Sequence, residues 1–259
     1  MAASRRRKRI HLLDELRGLA VFCMVFYHAF YSMSIAFDME AGTKLLNFFM
    51  PAQPYFAALF IVISGISSRL SHDNTKRGVR LFLVALGLTV LTVVILPQIG
   101  FDRAQIYFGI LHLLSVSMLV FSLMRKALDK VNPILGVCVC ALLYALTYNV
   151  SNGILGFPGK FGIELPAALY QTNYFMPFGF YSASFYSADY FPLLPHLFMF
   201  LTGTFFGVYA KAGAFPKFSY KQRSKFLSFL GRNALIIYIA HQPVIFDIFY
   251  VVELIMKAI

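Results

Sequence analysis

Asp14-Glu15-Leu16-Arg17-Gly18 leads into an apolar run that continues to Ala36 and is interrupted by His28. About 20 mostly apolar residues is the length that crosses a bilayer as a helix. Ionisable residues are expensive in hydrocarbon, so each one on such a helix is a functional candidate. Helical spacing puts Asp14, Arg17 and His28 on one face. Arg17 and His28 are then separated by a rise of about 16 Å, roughly half the ~30 Å hydrocarbon thickness. One stripe runs from a charged pair at the membrane entrance to an imidazole near the middle.

The 259-residue chain is 59% hydrophobic and 13% charged. Soluble domains carry about 25% charged residues, so this is the composition of an integral protein of a lipid bilayer. The net charge of +12 does not point to nucleic acid. Its basic residues sit between apolar spans, where positive-inside topology puts them. Arg5-Arg6-Arg7-Lys8-Arg9 precedes a span too long and too polar at its entrance for a signal-peptide core. No small-residue cleavage site follows, so no cleavable leader is expected. Cys23, Cys138 and Cys140 all lie inside apolar spans. They read as small buried side chains, with no disulfide or metal framework. Tryptophan is absent, which leaves Tyr and Phe to form the interfacial belt.

Hydrophobic periodicity gives seven spans, at about 16–36, 51–70, 79–97, 107–124, 133–150, 191–210 and 233–256. The expected fold class is all-α, a polytopic integral membrane helix bundle forming one domain over residues 1–259. Residues 1–12 form a basic cytoplasmic tail. The loops holding Arg69, Lys76, Arg77 and Arg80, then Arg125, Lys126 and Lys130, then Lys211 to Arg232, share its side. The opposite side keeps Lys44, Arg103, Lys160 and Lys257. This asymmetry predicts a cytoplasmic N-terminus and, with an odd number of spans, an outer C-terminus.

The long connection from Ser151 to Tyr190 is then an outer loop, rich in Gly, Pro, Phe and Tyr. Loops of this length are uncommon unless functional or disordered, and its aromatic content argues for order. A short helix is expected around Glu164 to Tyr170. Ser64, Gly65 and Ser68, and the pair Gly203 and Gly207, read as surfaces for close helix approach.

His28, His112, His196 and His241 lie within or at the ends of spans, whereas His11 and His72 fall in cytoplasmic segments. Polar groups in hydrocarbon must find partners, so His28, His112 and His241 are expected to face the bundle interior. His196 sits at an interface, where imidazole is cheap. Tyr238, His241 and Gln242 share a face of the last span. Asp189, at the outer entrance of the sixth, is a candidate carboxylate on the acceptor side. No phosphate loop, nucleophile elbow or zinc spacing is present.

Leu13-Asp14-Glu15-Leu16-Arg17-Gly18-Leu19-Ala20 followed by Tyr27-His28 resembles the opening of the heparan-α-glucosaminide N-acetyltransferase catalytic-domain family, in its small bacterial branch. Phe108-Gly109-Ile110-Leu111-His112 resembles the start of that family's fourth span. Ser187-Ala188-Asp189-Tyr190-Phe191-Pro192-Leu193-Leu194-Pro195 resembles its late outer motif. Gly231-Arg232-Asn233 with Tyr238 and His241-Gln242-Pro243 resembles its final span. The resemblance implies a multi-pass acyltransferase of the bacterial plasma membrane. Such a protein takes an acyl group, here acetyl from cytosolic acetyl-CoA, and passes it to a hydroxyl or amine of a carbohydrate acceptor on the outer side. It also implies that Arg17, partnered by Asp14, serves CoA or structure on the cytosolic side, and that His28 is the catalytic polar residue of the first span. The lysosomal relatives look to have Asn at the position of His28 and a catalytic His in the following luminal loop. Here the loop from Phe37 to Met50 has no histidine, so either His28 takes that role alone or the activity differs.

The residue chemistry is compatible with that class. A thioester transfer needs a general base for the attacking group, and a near-neutral imidazole suits it. An acyl-imidazole intermediate is the other route. The basic inner rim, with Arg69, Arg77, Arg80 and Arg232, suits CoA phosphates. The candidate catalytic set is His28, His112, His241 and Asp189, and the CoA-binding set is Asp14, Arg17, Arg80, Arg232 and Asn233. The rival classes are a transporter of small solutes or lipid-linked glycans, with His28 as proton relay, and a haem protein with paired histidines. The oligomeric state is open, a homodimer included.

Overall fold

Lipid offers backbone amides no partner, so an apolar run of span length closes its hydrogen bonds within itself as a helix. The computed structural model describes residues 9–99, 104–157 and 159–258. Arg5 to Lys8 of the basic tail and Arg103 lie outside the described residues. Among those described, the long helices are α1 (His11–Tyr31), α3 (Gln53–Leu70), α4 (Asn74–Val90), α5 (Ile110–Leu128), α6 (Pro133–Thr147), α7 (Leu193–Ala212) and α9 (Ala234–Ala258). Two shorter ones are α2 (Glu40–Phe49) and α8 (Lys225–Arg232). Seven segments are long and apolar enough to cross a membrane, in the same order as the seven spans read from the sequence. The protein is an all-α, multi-pass membrane protein. Its described residues form two compact units, one made of residues up to Ile63 together with those from Phe215 onward, the other of Ser64–Ala214.

In the first unit, α1 and α8 cross at two glycines. A Cβ on Gly18 would run into the Leu227 carbonyl, and one on Gly231 into the Asp14 carbonyl, so the two backbones touch. α1 ends in a π-helical turn, Ser32–Ala36. The stretch from Phe37 to Met50, expected as a loop, instead carries α2. Asp38, at φ 47°, makes the turn. α2 then packs back on the π turn, where Ser34 Oγ meets Thr43 Oγ1 at 2.8 Å and Gly42 leaves room for Met33. Phe37 in turn packs against Phe246 and Phe249 of α9.

In the second unit, the end of α3 lies on α7 through Gly65, Gly203 and Gly207, the close approach expected of these small residues. Arg69 is 3% exposed there. Its guanidinium pairs with Asp129, its Nε donates to the Thr204 carbonyl at 3.1 Å, and it lies over the Phe121 ring. α4 meets α5 at Gly78 and Leu119, and α6 meets α7 at Gly136 and Phe205. Caps start the helices: Asp73 accepts from the Lys76 amide for α4, and Asn132 accepts from the Ile134 and Leu135 amides for α6.

Among its described residues, the connection from Ser151 to Tyr190 is held together by its aromatics, as its composition suggests. Two strands of two residues each, β1 (Ile154–Leu155) and β2 (Ile163–Glu164), pair antiparallel. The helix expected at Glu164 to Tyr170 is a single 3₁₀ turn, Ala167–Tyr170, because Pro166 precedes it in an extended conformation. Tyr170 donates to the Val150 carbonyl. Tyr190 donates to the Met176 carbonyl at 2.6 Å and packs with Tyr181 and Phe185. Burial raises the Tyr190 phenol above its ordinary value, so it remains a donor.

Candidate active site

The entrance of α1 carries two adjacent carboxylates with different partners. Asp14 is salt-bridged to Arg9 at 2.6 Å and to Arg17 at 3.6 Å. The hydrogen bond from Arg9 raises that guanidinium further above its ordinary value. Arg17 also donates to the Gly231 carbonyl at 3.4 Å. The expected Asp14–Arg17 pair is therefore present, with Arg9 as a closer partner for the same carboxylate.

Glu15 was not singled out by the sequence, yet it is 7% exposed and holds the start of α8. Its Oε1 accepts from the Arg223 amide at 2.6 Å and from the Ser224 amide at 2.9 Å. Those amides have no partner within α8 itself. Ser224 caps the same helix by accepting from the Leu227 amide. That serine was a readable start signal; its acidic neighbour, more than 200 positions away, was not. Arg232 and Asn233 close α8, with Arg232 Nε on the Ser228 carbonyl and Asn233 Nδ2 on the Phe229 carbonyl. The Arg232 side chain is exposed.

Further along α1, His28 meets His241 of α9. Their ring centroids are 4.8 Å apart and the planes are inclined at 64°. His28 Nδ1 lies 2.9 Å from the Met24 carbonyl, and His241 Nδ1 lies 2.6 Å from the Tyr238 carbonyl. A carbonyl oxygen only accepts, so in each neutral ring the proton sits on Nδ1 and Nε2 carries the basic lone pair. Tyr238 and His241 are both buried and their rings are 5.6 Å apart, as their shared helix face requires. Two helices distant in sequence thus bring two imidazoles together with the same tautomer.

His112 and Asp189 belong to the second unit and share another place, the start of α5. His112 is 3% exposed. Its Nδ1 accepts from the Gly109 amide at 3.3 Å. Its Nε2 lies 3.3 Å from Thr89 Oγ1, a hydroxyl whose own proton goes to the Ile106 carbonyl. Both ring nitrogens of His112 are thus engaged, in the opposite tautomer to His28 and His241. Asp189 Oδ2 accepts from the Ile110 amide at 3.0 Å, beside a short parallel bridge between Phe108 and Tyr190. Thr89, which completes this junction, was missed, since a threonine in an apolar span carries no distinguishing pattern. His196 Nδ1 donates to the carbonyl of Pro192, the residue before α7, at 2.9 Å. Arg80 is exposed on α4. Arg69 is committed to Asp129 and Thr204, which removes it from the rim of arginines available to phosphate. Among the described residues, no group of three or more His, Cys, Asp or Glu has the arrangement to hold a metal ion.

The geometry supplies a basic imidazole pair on α1 and α9 and, on the same first helix, an arginine at the charged end. A family model described as heparan-alpha-glucosaminide N-acetyltransferase, catalytic, matches residues 9–243. No curated protein and no solved structure matches the chain.

Proposed function

The chain belongs to the heparan-α-glucosaminide N-acetyltransferase catalytic family, a family of transmembrane acetyltransferases, and from that premise we propose that it moves an acetyl group from acetyl-CoA to a carbohydrate acceptor. In this proposal the donor is cytosolic, the acceptor lies on the outer side, and the membrane is a bacterial plasma membrane. The family match runs through both units, which supports treating residues 1–259 as one acyltransferase domain.

The observation that carries the proposal is the His28–His241 pair with its shared tautomer. Nε2 of His28 takes the proton of the acceptor hydroxyl or amine, the acceptor attacks the thioester carbonyl, and the carbon–sulfur bond breaks to release CoA thiolate. His241 packs against the His28 ring and fixes its orientation. Arg17, 11 residues before His28, holds CoA phosphate through a charge-assisted pair. Asp14 keeps that guanidinium in place. Arg232 and Asn233, in the same unit as Arg17, complete the proposed donor set, whereas Arg80 belongs to the second unit. His112 and Asp189 act by holding the start of α5, since the ring nitrogens of the former are both engaged.

The test uses purified His28→Ala and Arg17→Ala variants, with CoA affinity and transfer from labelled acetyl-CoA to glucosamine measured side by side. His28→Ala should lose about 10²–10⁴ in transfer rate, as removal of a general base does, and retain CoA binding. Arg17→Ala should mainly weaken CoA binding. Wild-type transfer by His28→Ala would defeat the assignment, and loss of CoA binding in that variant would make His28 a binding residue.

A further inference from the structure

α4 and α5 touch where Gly78 meets Leu119, with no room for a side chain larger than hydrogen without displacing it. Towards the start of α4 the pair opens into a groove of about 450 Å³ lined by Thr75, Leu119, Ser122, Leu123 and Lys126. Residues 119, 122, 123 and 126 are one stripe of α5, at i, i+3, i+4 and i+7. Thr75 Oγ1 and Ser122 Oγ are 2.7 Å apart across the groove. That contact uses one of the two hydroxyl protons. Among the described residues neither hydroxyl has another hydrogen-bond partner, so the second proton is available to an acceptor.

Basic groups outnumber acidic ones at this end. Lys126 has no carboxylate within ion-pair distance among the described residues. The two nearby acids are both engaged, Asp73 by the Lys76 amide and Asp129 by Arg69. Lys76 and Arg77 are exposed on the same first turns of α4. A hydroxyl pair with a spare proton beside an ammonium is a phosphate-binding combination. Leu119 and Leu123 continue the groove on its apolar side, and Leu123 is 87% exposed. Thr75 and Lys126 stand one and two residues inside the ends of their helices, at the level of lipid headgroups, whereas the leucines run into the depth of acyl chains. A free phosphate or a nucleotide would use the polar end and leave the leucine face bare; a phospholipid covers both.

We propose that this groove binds one anionic phospholipid, with its phosphate on Thr75, Ser122 and Lys126 and one acyl chain along Leu119 and Leu123. The proposal stands apart from the acetyltransfer chemistry. It is tested by native mass spectrometry of the detergent-purified full chain, titrated separately with phosphatidylglycerol, phosphatidylcholine and CoA. Phosphatidylglycerol should bind more tightly than phosphatidylcholine. Lys126→Gln, a change at an exposed side chain, should weaken phosphatidylglycerol about tenfold, the scale of one hydrogen bond to a charged group, and bring it to the level of phosphatidylcholine. Thr75→Val with Ser122→Ala should weaken both lipids. Equal binding of the two lipids, or unchanged phosphatidylglycerol binding in Lys126→Gln, overturns the proposal. CoA that displaces phosphatidylglycerol, and loses affinity in the same variants, also overturns it and reassigns the groove to a nucleotide.

Discussion

Neighbouring residues in this chain have sharply different work. Asp14 meets two guanidinium groups, whereas Glu15 meets two backbone amides and a hydroxyl of a distant helix. An amide left unpaired when buried costs about 1–3 kcal/mol. Glu15→Ala strands the Arg223 and Ser224 amides together, so it should lower the thermal stability of the detergent-solubilised protein by several degrees. Glu15→Gln keeps an acceptor oxygen and should recover part of the loss. If the alanine variant melts like the wild type, α8 is not held by this carboxylate. The imidazoles differ in the same way. His28 and His241 donate from Nδ1 to carbonyls, while His112 accepts at Nδ1 from an amide. The sequence made all three candidates because depth and residue type were visible in it. The tautomer was not, because it is set by which backbone group each ring happens to face.

Element by element, what could be read was what a helix writes in its own residues. Apolar periodicity located the seven spans, and the small residues of α3 and α7 lie where they pack. α2 escaped, although Glu40 and Lys44 form an i, i+4 ion pair at 2.6 Å, a spacing that supports a helix. The polar residues there resembled a loop between spans. α8 escaped because its eight residues, although Phe226, Leu227, Phe229 and Leu230 fall at helical spacing, are far too short for a span, and its packing is decided by contacts with α1. That crossing makes its own prediction. Gly231→Ala pushes a methyl group into the Asp14 carbonyl, and overpacking of this kind costs about 1–3 kcal/mol. Gly87 on α4 has nothing within 4 Å of a would-be Cβ, so Gly87→Ala meets no obstacle and gains helix propensity of up to about 1 kcal/mol. Thermal unfolding of the two variants should separate clearly, the first destabilised and the second equal to or above wild type. Equal melting would refute the close crossing.

For the whole molecule, membrane class follows from composition and the order of spans from hydrophobicity, both properties summed over many residues. The basic asymmetry between loops proposes an orientation, and that proposal makes a direct prediction. A cysteine replacing exposed Lys160, in a background with Cys23, Cys138 and Cys140 changed to alanine, should react with a membrane-impermeant maleimide on intact cells. Labelling only after the cytoplasm is opened would invert the proposed topology. The division into units was beyond reach of the sequence, because it pairs early residues with late ones. On the ribosome this division becomes a schedule. The stretch from Ser64 to Ala214 has all its described internal partners soon after it is made. Glu15 instead waits for Arg223, 208 residues later, roughly ten to forty seconds at typical synthesis rates. Until then the carboxylate at the entrance of the first helix has not met its amides, so α1 is finished long before the helix it anchors exists.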